Sequence, residues 1–468
     1  MNLFARFVVR KKWLVLFVAL ALVVPAAAGF AATGINYNIL EYLPAGLDSV
    51  AGEKYLENDF KLASTAMVTA DGLSTADTLA LKQKIQAVDG VRKVLWVDDI
   101  ADATVPPQAL PAQIRDLFFS GSTTLMIVTF EDNISSERTY AGINKIKSLL
   151  PDGCLISGAS AIVNETRSLV EKELPVYVLV AVFLVTAVLF LGVESTFVPF
   201  IFLASIGLAV LYNFGSNIFL GEISYITRAL AAVLQLGVTM DFSIFLLHRY
   251  DEERVKGGDH GEAMEAAIKN TAAAITGSST TTIAGFLALC TMSLTLGRDM
   301  GIVMAKGVLI GVLCSLTVLP ALLLIFDKPI HRYTHRTVIP SLKRTSHFVA
   351  KHYKAIALAF LAVLIPFLYF QSQTKLYYNL AQSLPEDFVS VRGAREISQK
   401  FNRPSTDFLL VDDSLPGRQI AALAAELSGI KGVSSVICKE SLVGDGLPES
   451  LLPASVDSIF HAGGKRLL

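Results

Sequence analysis

A single carboxylate, Asp241, lies deep in an apolar run that starts near Ile223 and breaks into charged residues at His248. An ionised side chain at the centre of a membrane helix costs about 2.5–3.5 kcal/mol on insertion scales. Chains that keep such a group use it for ion or proton transfer, because it can bind and release a proton as its access to water alternates. We therefore predict a proton-binding carboxylate. The alternative is a neutral carboxyl group that a hydroxyl from a neighbouring helix satisfies.

Residues near Asp241 in sequence could support such a relay. Gly237 lies one turn earlier on the same helix face, where a small residue lets another helix approach closely. Phe242 follows Asp241 directly. A run of hydroxyls opens the fifth apolar segment and could face Asp241, although general helix packing explains it equally well. The candidate hydroxyl residues are Ser278, Ser279, Thr280 and Thr281.

The composition is that of a polytopic membrane protein. Hydrophobic residues make up 53% of the 468 residues and charged residues only 17%, against about 25% charged in soluble domains. The net charge of −1 argues against a nucleic-acid partner. The chain has no phosphate-binding loop, no cysteine spacing typical of a metal site and no nucleophile–base–acid set. We expect no enzyme, no cofactor, no catalytic residue and no metal.

Seven apolar segments are long enough to cross a bilayer. They are 13–32, 174–193, 197–219, 223–247, 273–296, 301–326 and 355–372. Basic residues precede the first segment and fill 327–354, so the N-terminus and that linker are predicted to be cytoplasmic. A cleaved signal peptide is the alternative for the first segment. We expect residues 248–272 to include an amphipathic helix along the inner surface. Arg228 and Lys306 are expected to extend to the outer interface, with Glu222 or Asp299 as partners.

The predicted order is a first span (1–32), an outer α+β domain (33–173), a five-span block (174–326), a basic linker (327–354), a seventh span (355–372) and an incomplete second outer domain (373–468). Within the first outer domain the patterns at 66–69, 75–88 and 91–97 predict strand, helix and strand. The patterns at 124–130, 135–150 and 153–157 repeat that order. This is the ferredoxin-like arrangement.

The chain also matches itself at an offset of 341 residues. Tyr37-Asn38-Ile39 corresponds to Tyr378-Asn379-Leu380, and Phe60 corresponds to Phe401. Parallel repeats of this kind are known in transporters. Since the second unit lacks five spans, we expect the sequence to be a fragment of a longer protein, with a natural truncation as the alternative.

The motif that runs from Gly237-Val238-Thr239-Met240-Asp241-Phe242 to Arg254, together with Leu319-Pro320-Ala321-Leu322, resembles the MMPL branch of the resistance–nodulation–division (RND) superfamily. The family is related to sterol-sensing-domain proteins. The resemblance implies porter-type periplasmic domains and a relay made of an Asp-Tyr pair on the fourth span and an equivalent pair on the tenth. Phe242 stands at the tyrosine position and the tenth span is missing, so only Asp241 carries over.

The resemblance implies proton-driven export of lipids or other hydrophobic molecules from the inner membrane. Two alternatives stay open: a non-transporting lipid sensor or scaffold, which Phe242 favours, and a Sec-type translocation accessory. The expected partners are the bilayer and a hydrophobic substrate. The sequence leaves open whether a homo-oligomer or a periplasmic partner completes the assembly.

Overall fold

The computed structural model describes residues 2–102, 104–257, 259–335, 343–374, 384–402, 407–443 and 459–468. The chain forms two compact units. Unit 1 comprises Met1–Ile35, Glu173–Met292 and Gly297–Leu380, and unit 2 comprises Asn36–Lys172, Ser293–Leu296 and Ala381–Leu468.

The described helices are α1 (Asn2–Arg10), α2 (Lys12–Ala32), α3 (Asp48–Tyr55), α4 (Thr75–Gln86), α5 (Ala112–Phe118), α6 (Glu137–Leu149), α7 (Ala159–Gly192), α8 (Val198–Gly215), α9 (Tyr225–Val255), α10 (His260–Ala288), α11 (Thr295–Leu316), α12 (Val318–Ile325), α13 (Asp327–Arg332), α14 (Lys343–Ser372), α15 (Val389–Phe401), α16 (Gly417–Ser428) and α17 (Lys439–Val443). The described strands are β1 (Gly34–Asn36), β2 (Thr65–Asp71), β3 (Val91–Leu95), β4 (Phe119–Ser120), β5 (Thr123–Phe130), β6 (Cys154–Ser157), β7 (Glu222–Ser224), β8 (Leu410–Asp412), β9 (His461–Ala462) and β10 (Lys465–Leu467).

Unit 1 is the membrane-spanning part. Seven helices in the described ranges are long and apolar enough to cross a membrane, which confirms the predicted polytopic fold. The spans are Lys12–Ala32, Ala159–Gly192, Val198–Leu220, Tyr225–Val255, His260–Thr291, Thr295–Ile325 and Arg344–Ser372.

The predicted surface helix after His248 is wrong. α9 continues to Val255, and α10 begins at His260 and runs unbroken into the membrane segment. The Asp259 side chain caps α10 by accepting the Gly261 N–H. The first turns of α10 pack in the core of unit 1, where Met264 and Ile268 are fully buried. The apolar face of the first turns of α10 therefore packs against protein rather than against the membrane surface.

Small residues bring α2 against α8. A Cβ placed on Gly29 would lie 2.2 Å from the Gly215 carbonyl oxygen, so both positions require glycine-sized residues. The Tyr212 hydroxyl donates to the Ala19 carbonyl oxygen at 2.5 Å. The first span is therefore an integral part of the span block.

The connections between spans that were predicted to be cytoplasmic lie together at one end of unit 1. Ser195 pairs with Thr334 as a β-bridge, and His260 Nδ1 lies 3.2 Å from an oxygen of Asp327. Arg6 of α1 lies 3.3 Å from Glu265 of α10. The N-terminal helix and three connections thus share one end of the bundle.

Unit 2 contains the predicted ferredoxin-like sheet. Its antiparallel strand order is β3-β5-β2-β6, with β4 added to β5. α4 and α6 cover one face, where Ile85, Ile143 and Ile146 are almost fully buried against Val68 and Val128. This confirms the porter-type α+β fold expected from the alternating sequence pattern.

The opposite face of this sheet is covered by a helix from the second repeat. Ile397 and Phe401 of α15 bury their side chains against Leu125 and Met67. A Cβ on Gly393 would lie 2.9 Å from the Ser157 Cβ, so the helix approaches β6 closely. α15 therefore completes the core of the first sheet.

The exchange between repeats is reciprocal. α3 with the π-turn Leu56–Phe60 corresponds to α15 at the offset of 341 residues. This first-repeat helix lies against the sheet β8-β10-β9: the Leu410 Cδ1 is 3.8 Å from the Cβ position of Gly52, and the Lys465 Nζ lies 5.8 Å from the centre of the Tyr55 ring. Each sheet thus takes one helix from the other repeat.

Candidate functional site in the span block

Asp241 lies on an open stripe of α9. Ser224 caps the start of this helix by accepting the Ile226 N–H at 3.2 Å. The open stripe comprises exposed residues three or four positions apart, Val233, Gly237, Asp241, Phe245 and His248. The Asp241 carboxylate has no hydrogen-bond or ion-pair partner among the described residues. It therefore sits on an apolar helix surface that faces away from the five-span block.

Phe242 points the other way. Its ring is 6% exposed and packs among apolar side chains of α10 and α11, including Ile275 and Val312. A tyrosine at this position would bring its hydroxyl into an apolar cluster. Phe242 thus packs the block, and the structure does not place its ring on the stripe that carries Asp241.

The close helix contact expected at Gly237 is not present. Nothing within 4 Å would meet a Cβ there, because the stripe has no described neighbour. Close approaches occur instead on α11: a Cβ on Gly307 would lie 2.6 Å from the Asn213 Nδ2, and one on Gly311 would lie 2.7 Å from the Thr239 Oγ1. The small residues that pack the block are on α11 rather than α9.

The structure does not bring the hydroxyl run of α10 to Asp241. Ser279 and Thr280 donate to the Thr276 carbonyl oxygen at 3.1 and 2.7 Å, and Thr281 donates to the Ser278 carbonyl oxygen at 2.7 Å. These hydroxyls satisfy the preceding turn of their own helix. Ser278 and Thr281 are exposed, whereas Ser279 is buried. The predicted support for the relay is not formed within the described residues.

A polar network inside the block was not predicted. The Lys306 Nζ donates to the Asn213 carbonyl oxygen at 3.1 Å and to the Asn217 Oδ1 at 2.5 Å. The Asn213 Nδ2 donates to the Gln235 Oε1 at 2.9 Å, and the Gln235 Nε2 donates to the Gly307 carbonyl oxygen at 3.2 Å. The expected partners of Lys306, Glu222 or Asp299, do not hold its ammonium group; the uncharged acceptors Asn213 and Asn217 hold it instead.

The sequence does contain a pattern that indicates this polar network. Asn213 and Asn217 lie four residues apart in an apolar segment, so they share one helix face. Both are fully buried, and Gln235 is 4% exposed. Buried side-chain amides in a membrane helix need hydrogen-bond partners. This pattern therefore indicates that a donor on another helix, such as Lys306, bonds to them.

Asp299 does not pair with Lys306 or Arg228. It accepts the Ser224 N–H at 2.9 Å and the Thr227 hydroxyl at 2.5 Å, which ties the start of α9 to α11. The Arg228 guanidinium lies 5.6 Å from the centre of the Phe30 ring. The expected ion pair with Asp299 is therefore absent.

These carboxylate, amine and guanidinium groups can bind protons or ions. Across the described ranges no three His, Cys, Asp or Glu side chains come close enough to hold a metal ion. Among the described residues, the Asp241 carboxylate has no polar partner, whereas Lys306 is held by uncharged oxygens and Arg228 lies over the Phe30 ring.

Comparison with known proteins identifies the family. The MMPL family model matches residues 41–345, which is more than half of the chain. The hopanoid transporter HpnN of Rhodopseudomonas palustris is 26% identical over 67% of this chain and 35% of its own length. The probable transport protein MmpL12 of Mycobacterium tuberculosis is 24% identical over 83% of this chain and 35% of its own.

The putative membrane protein MJ1562 of Methanocaldococcus jannaschii is 39% identical over 24% of this chain and 26% of its own length. The chain thus spans about a third or less of the length of these relatives. The family match, the seven spans and the ferredoxin-like sheet agree. The chain belongs to the MMPL family of RND-type transporters.

Proposed function

We propose that this chain is part of a proton-driven exporter of lipids or other hydrophobic molecules. The observation that carries the proposal is Asp241, an unpaired carboxylate on the open stripe of a membrane-spanning helix. A carboxylate in that position is costly when ionised and much less costly when protonated. The protonated Asp241 therefore favours packing of the stripe against apolar groups, and the ionised Asp241 favours contact with water or polar groups.

The proton gradient can supply the energy for such a change. Moving one charge across the membrane is worth about 2.3 kcal/mol per 100 mV. This is close to the insertion cost of an ionised carboxylate, about 2.5–3.5 kcal/mol. One proton per cycle at Asp241 is thus enough to shift a helix packing equilibrium by roughly tenfold or more.

We place the chain in the cytoplasmic membrane with its N-terminus and the basic linker inside, and with unit 2 in the periplasm. Basic residues near spans favour the inner side. The meeting of α1, Ser195, His260 and Asp327 at one end of the block supports a single side for these segments.

The substrate class is proposed from the relatives. One is named a hopanoid transporter and another a probable transport protein. The ferredoxin-like sheet of unit 2, completed by α15, provides the porter-type element that would receive a hydrophobic molecule. Because the relatives are much longer, we assign export to the complete gene product.

The experiment measures export of a labelled lipid from energised membrane vesicles that contain the complete gene product. Asp241→Asn cannot ionise, so it should abolish export that depends on the proton gradient while leaving the protein in the membrane. The matched control is Glu252→Gln on the same helix, an exposed carboxylate that already pairs with Arg249 at 2.7 Å and should matter little.

Undiminished, gradient-dependent export by Asp241→Asn would contradict the proposal. Lipid binding by the wild type that ignores the gradient, with no export, would instead favour a lipid sensor. Slowed protein secretion on depletion, without a change in lipid traffic, would favour a translocation accessory.

A further inference from the structure

Two histidines share one carboxylate at the end of unit 1 where α9, α10 and α13 meet. His260 Nδ1 lies 3.2 Å and His331 Nδ1 lies 3.4 Å from the Asp327 Oδ1. The centres of the two imidazole rings are 6.0 Å apart. Both rings are in contact with water, since 48% of the His260 side chain and 39% of the His331 side chain are exposed. Histidine changes its charge between about pH 5 and 8, so two titratable rings face one carboxylate oxygen.

The hydrogen bonds of His331 require its neutral form. Its Nδ1 lies 2.8 Å from the Asp327 carbonyl oxygen, which can only accept, so we assign a proton to Nδ1. Its Nε2 contacts the Arg254 guanidinium, which can only donate, so Nε2 accepts and carries no proton. A second proton on this ring would place an N–H group against an arginine. The described arrangement therefore belongs to neutral His331.

The shared carboxylate oxygen is not satisfied in this arrangement. Asp327 Oδ1 is buried and accepts no hydrogen bond from a described residue, although a nitrogen of each imidazole lies within 3.4 Å. A buried polar atom without a partner is unfavourable. A second proton on either ring would make that ring a charged donor, and charged donors form the stronger hydrogen bonds to carboxylates. The oxygen is thus positioned for an imidazolium ion.

Other titratable and charged groups surround the two histidines. Asp251 of α9 interacts electrostatically with both His331 and Arg254, and it forms no ion pair with a described residue. Since Coulomb energy falls with distance, a charged His331 is repelled by the Arg254 it touches more strongly than Asp251 attracts it. The Tyr250 hydroxyl lies 3.4 Å from His260 Nδ1. The remaining groups on the elements packed here are Glu194, His248, Asp259, Lys328 and Arg332.

We propose that His260, Asp327 and His331 form a second proton-binding site, which makes the anchoring of α9 depend on the pH at this end of the block. At higher pH, neutral His331 accepts from Arg254 and ties α13 to α9. At lower pH, Arg254 repels the charged His331, and Asp327 pairs with the charged rings of both histidines, which ties α13 to α10 instead. The site is separate from Asp241, and the inference does not depend on proton-driven export.

The test measures amide hydrogen exchange of the complete gene product in phosphatidylcholine nanodiscs between about pH 5 and 8. Protection factors are compared, because they correct for the intrinsic pH dependence of exchange. In the wild type, residues 250–255 at the end of α9 should lose protection by about threefold to tenfold as the pH falls, since a partly exposed contact with a charged group is lost. His331→Gln stays neutral and can still accept from Arg254, so its protection in this segment should not change with pH.

His352→Gln is the matched control. His352 is an exposed histidine of α14, and its Nδ1 lies 3.1 Å from the Phe348 carbonyl oxygen of its own helix. This variant should keep the wild-type pH dependence at residues 250–255. Arg254→Gln tests the other side of the contact. It removes the charge that a protonated His331 would meet, so a fall in pH should no longer release the end of α9.

The two variants of this contact isolate His331, because Glu194, Asp251 and Asp259 are present in both of them. Protection of residues 250–255 that does not depend on pH in the wild type would overturn the proposal. A wild-type pH dependence in correctly folded His331→Gln or Arg254→Gln would overturn it as well. Since either variant is sufficient, a folding defect in one of them leaves the other as the decisive measurement.

Discussion

Replacing Ile397 tests whether α15 belongs to the first sheet. Ile397 is 5% exposed and packs with Phe401 against Leu125 and Met67. Truncating a buried isoleucine to alanine removes its apolar burial and leaves a cavity, which together cost about 2–5 kcal/mol. Since the replacement also improves helix propensity by a few tenths of a kcal/mol, we expect Ile397→Ala to ease local opening of α15 by about 2–4 kcal/mol.

Hydrogen exchange measured by mass spectrometry reports this opening directly. A loss of about 2 kcal/mol raises the open population roughly 30-fold, and exchange of α15 amides should rise in proportion. β6 should also lose protection, because Gly393 and Ser390 contact Ser157 at its end. Gln399→Ala is the control, since Gln399 is an exposed residue of the same helix.

Unchanged exchange in α15 and β6 would refute the packing argument. A change confined to β8 and β10 would show that α15 packs on the sheet of its own repeat. Either result would mean that the two sheets do not exchange helices.

Three further predictions concern Asp71 in the sheet of unit 2, two glycines in the span block, and Phe242. Hydrogen bonds from Ser122, from Lys400 and from Thr123 hold the pKa of Asp71 below its usual range. A lowered pKa stabilises the fold above the usual value near 4, and that stability is lost as the pH falls below it. The protection factors of α15 amides, which correct for the intrinsic pH dependence of amide exchange, should therefore fall below about pH 4, and Asp71→Asn should remove this dependence; a pH profile unchanged by the substitution would contradict it. Gly307→Ala should lower the melting temperature of the span block, because its Cβ meets Asn213 at 2.6 Å and overpacking costs about 1–3 kcal/mol. Gly237→Ala, with nothing within 4 Å, should not lower it, and equal effects of the two glycine variants would count against the described packing. Phe242→Tyr should destabilise the block by about 1–3 kcal/mol, because its hydroxyl would enter an apolar cluster; a stability equal to the wild type would show that the ring is not enclosed.

The sheet of unit 2 was predictable because its signals are local. Side-chain periodicity at 66–69, 75–88 and 91–97 predicts a strand, a helix and a strand, and the structure has them at Thr65–Asp71, Thr75–Gln86 and Val91–Leu95. The exchange of α3 and α15 between sheets was not predictable in this way, because a repeat shows which elements correspond and not which sheet each covers. One sequence feature does point to this close packing. Gly52 of α3 and Gly393 of α15 occupy corresponding positions in the repeat, and each lies where its helix approaches a sheet.

The role of Asp241 stays a prediction. The depth of Asp241 in an apolar run predicts a functional carboxylate, but a sequence cannot show whether its face of the helix is covered. The sequence left open whether the hydroxyls of Ser279 and Thr280 face Asp241 or serve general helix packing, and in the structure they bond to the preceding turn of their own helix. Lys306 was expected to reach the outer interface with Glu222 or Asp299 as a partner, whereas the Asn213 carbonyl oxygen near the end of α8 and the Asn217 side chain just after α8 hold its ammonium group.

The central claim is that Asp241 couples proton movement to export. The most direct measurement is proton flux during lipid export by the complete gene product in liposomes with an internal pH dye. The account predicts that added substrate triggers proton movement in the wild type and in Glu252→Gln, and that Asp241→Asn shows neither proton movement nor export. Substrate-triggered proton flux of wild-type size in Asp241→Asn would contradict it.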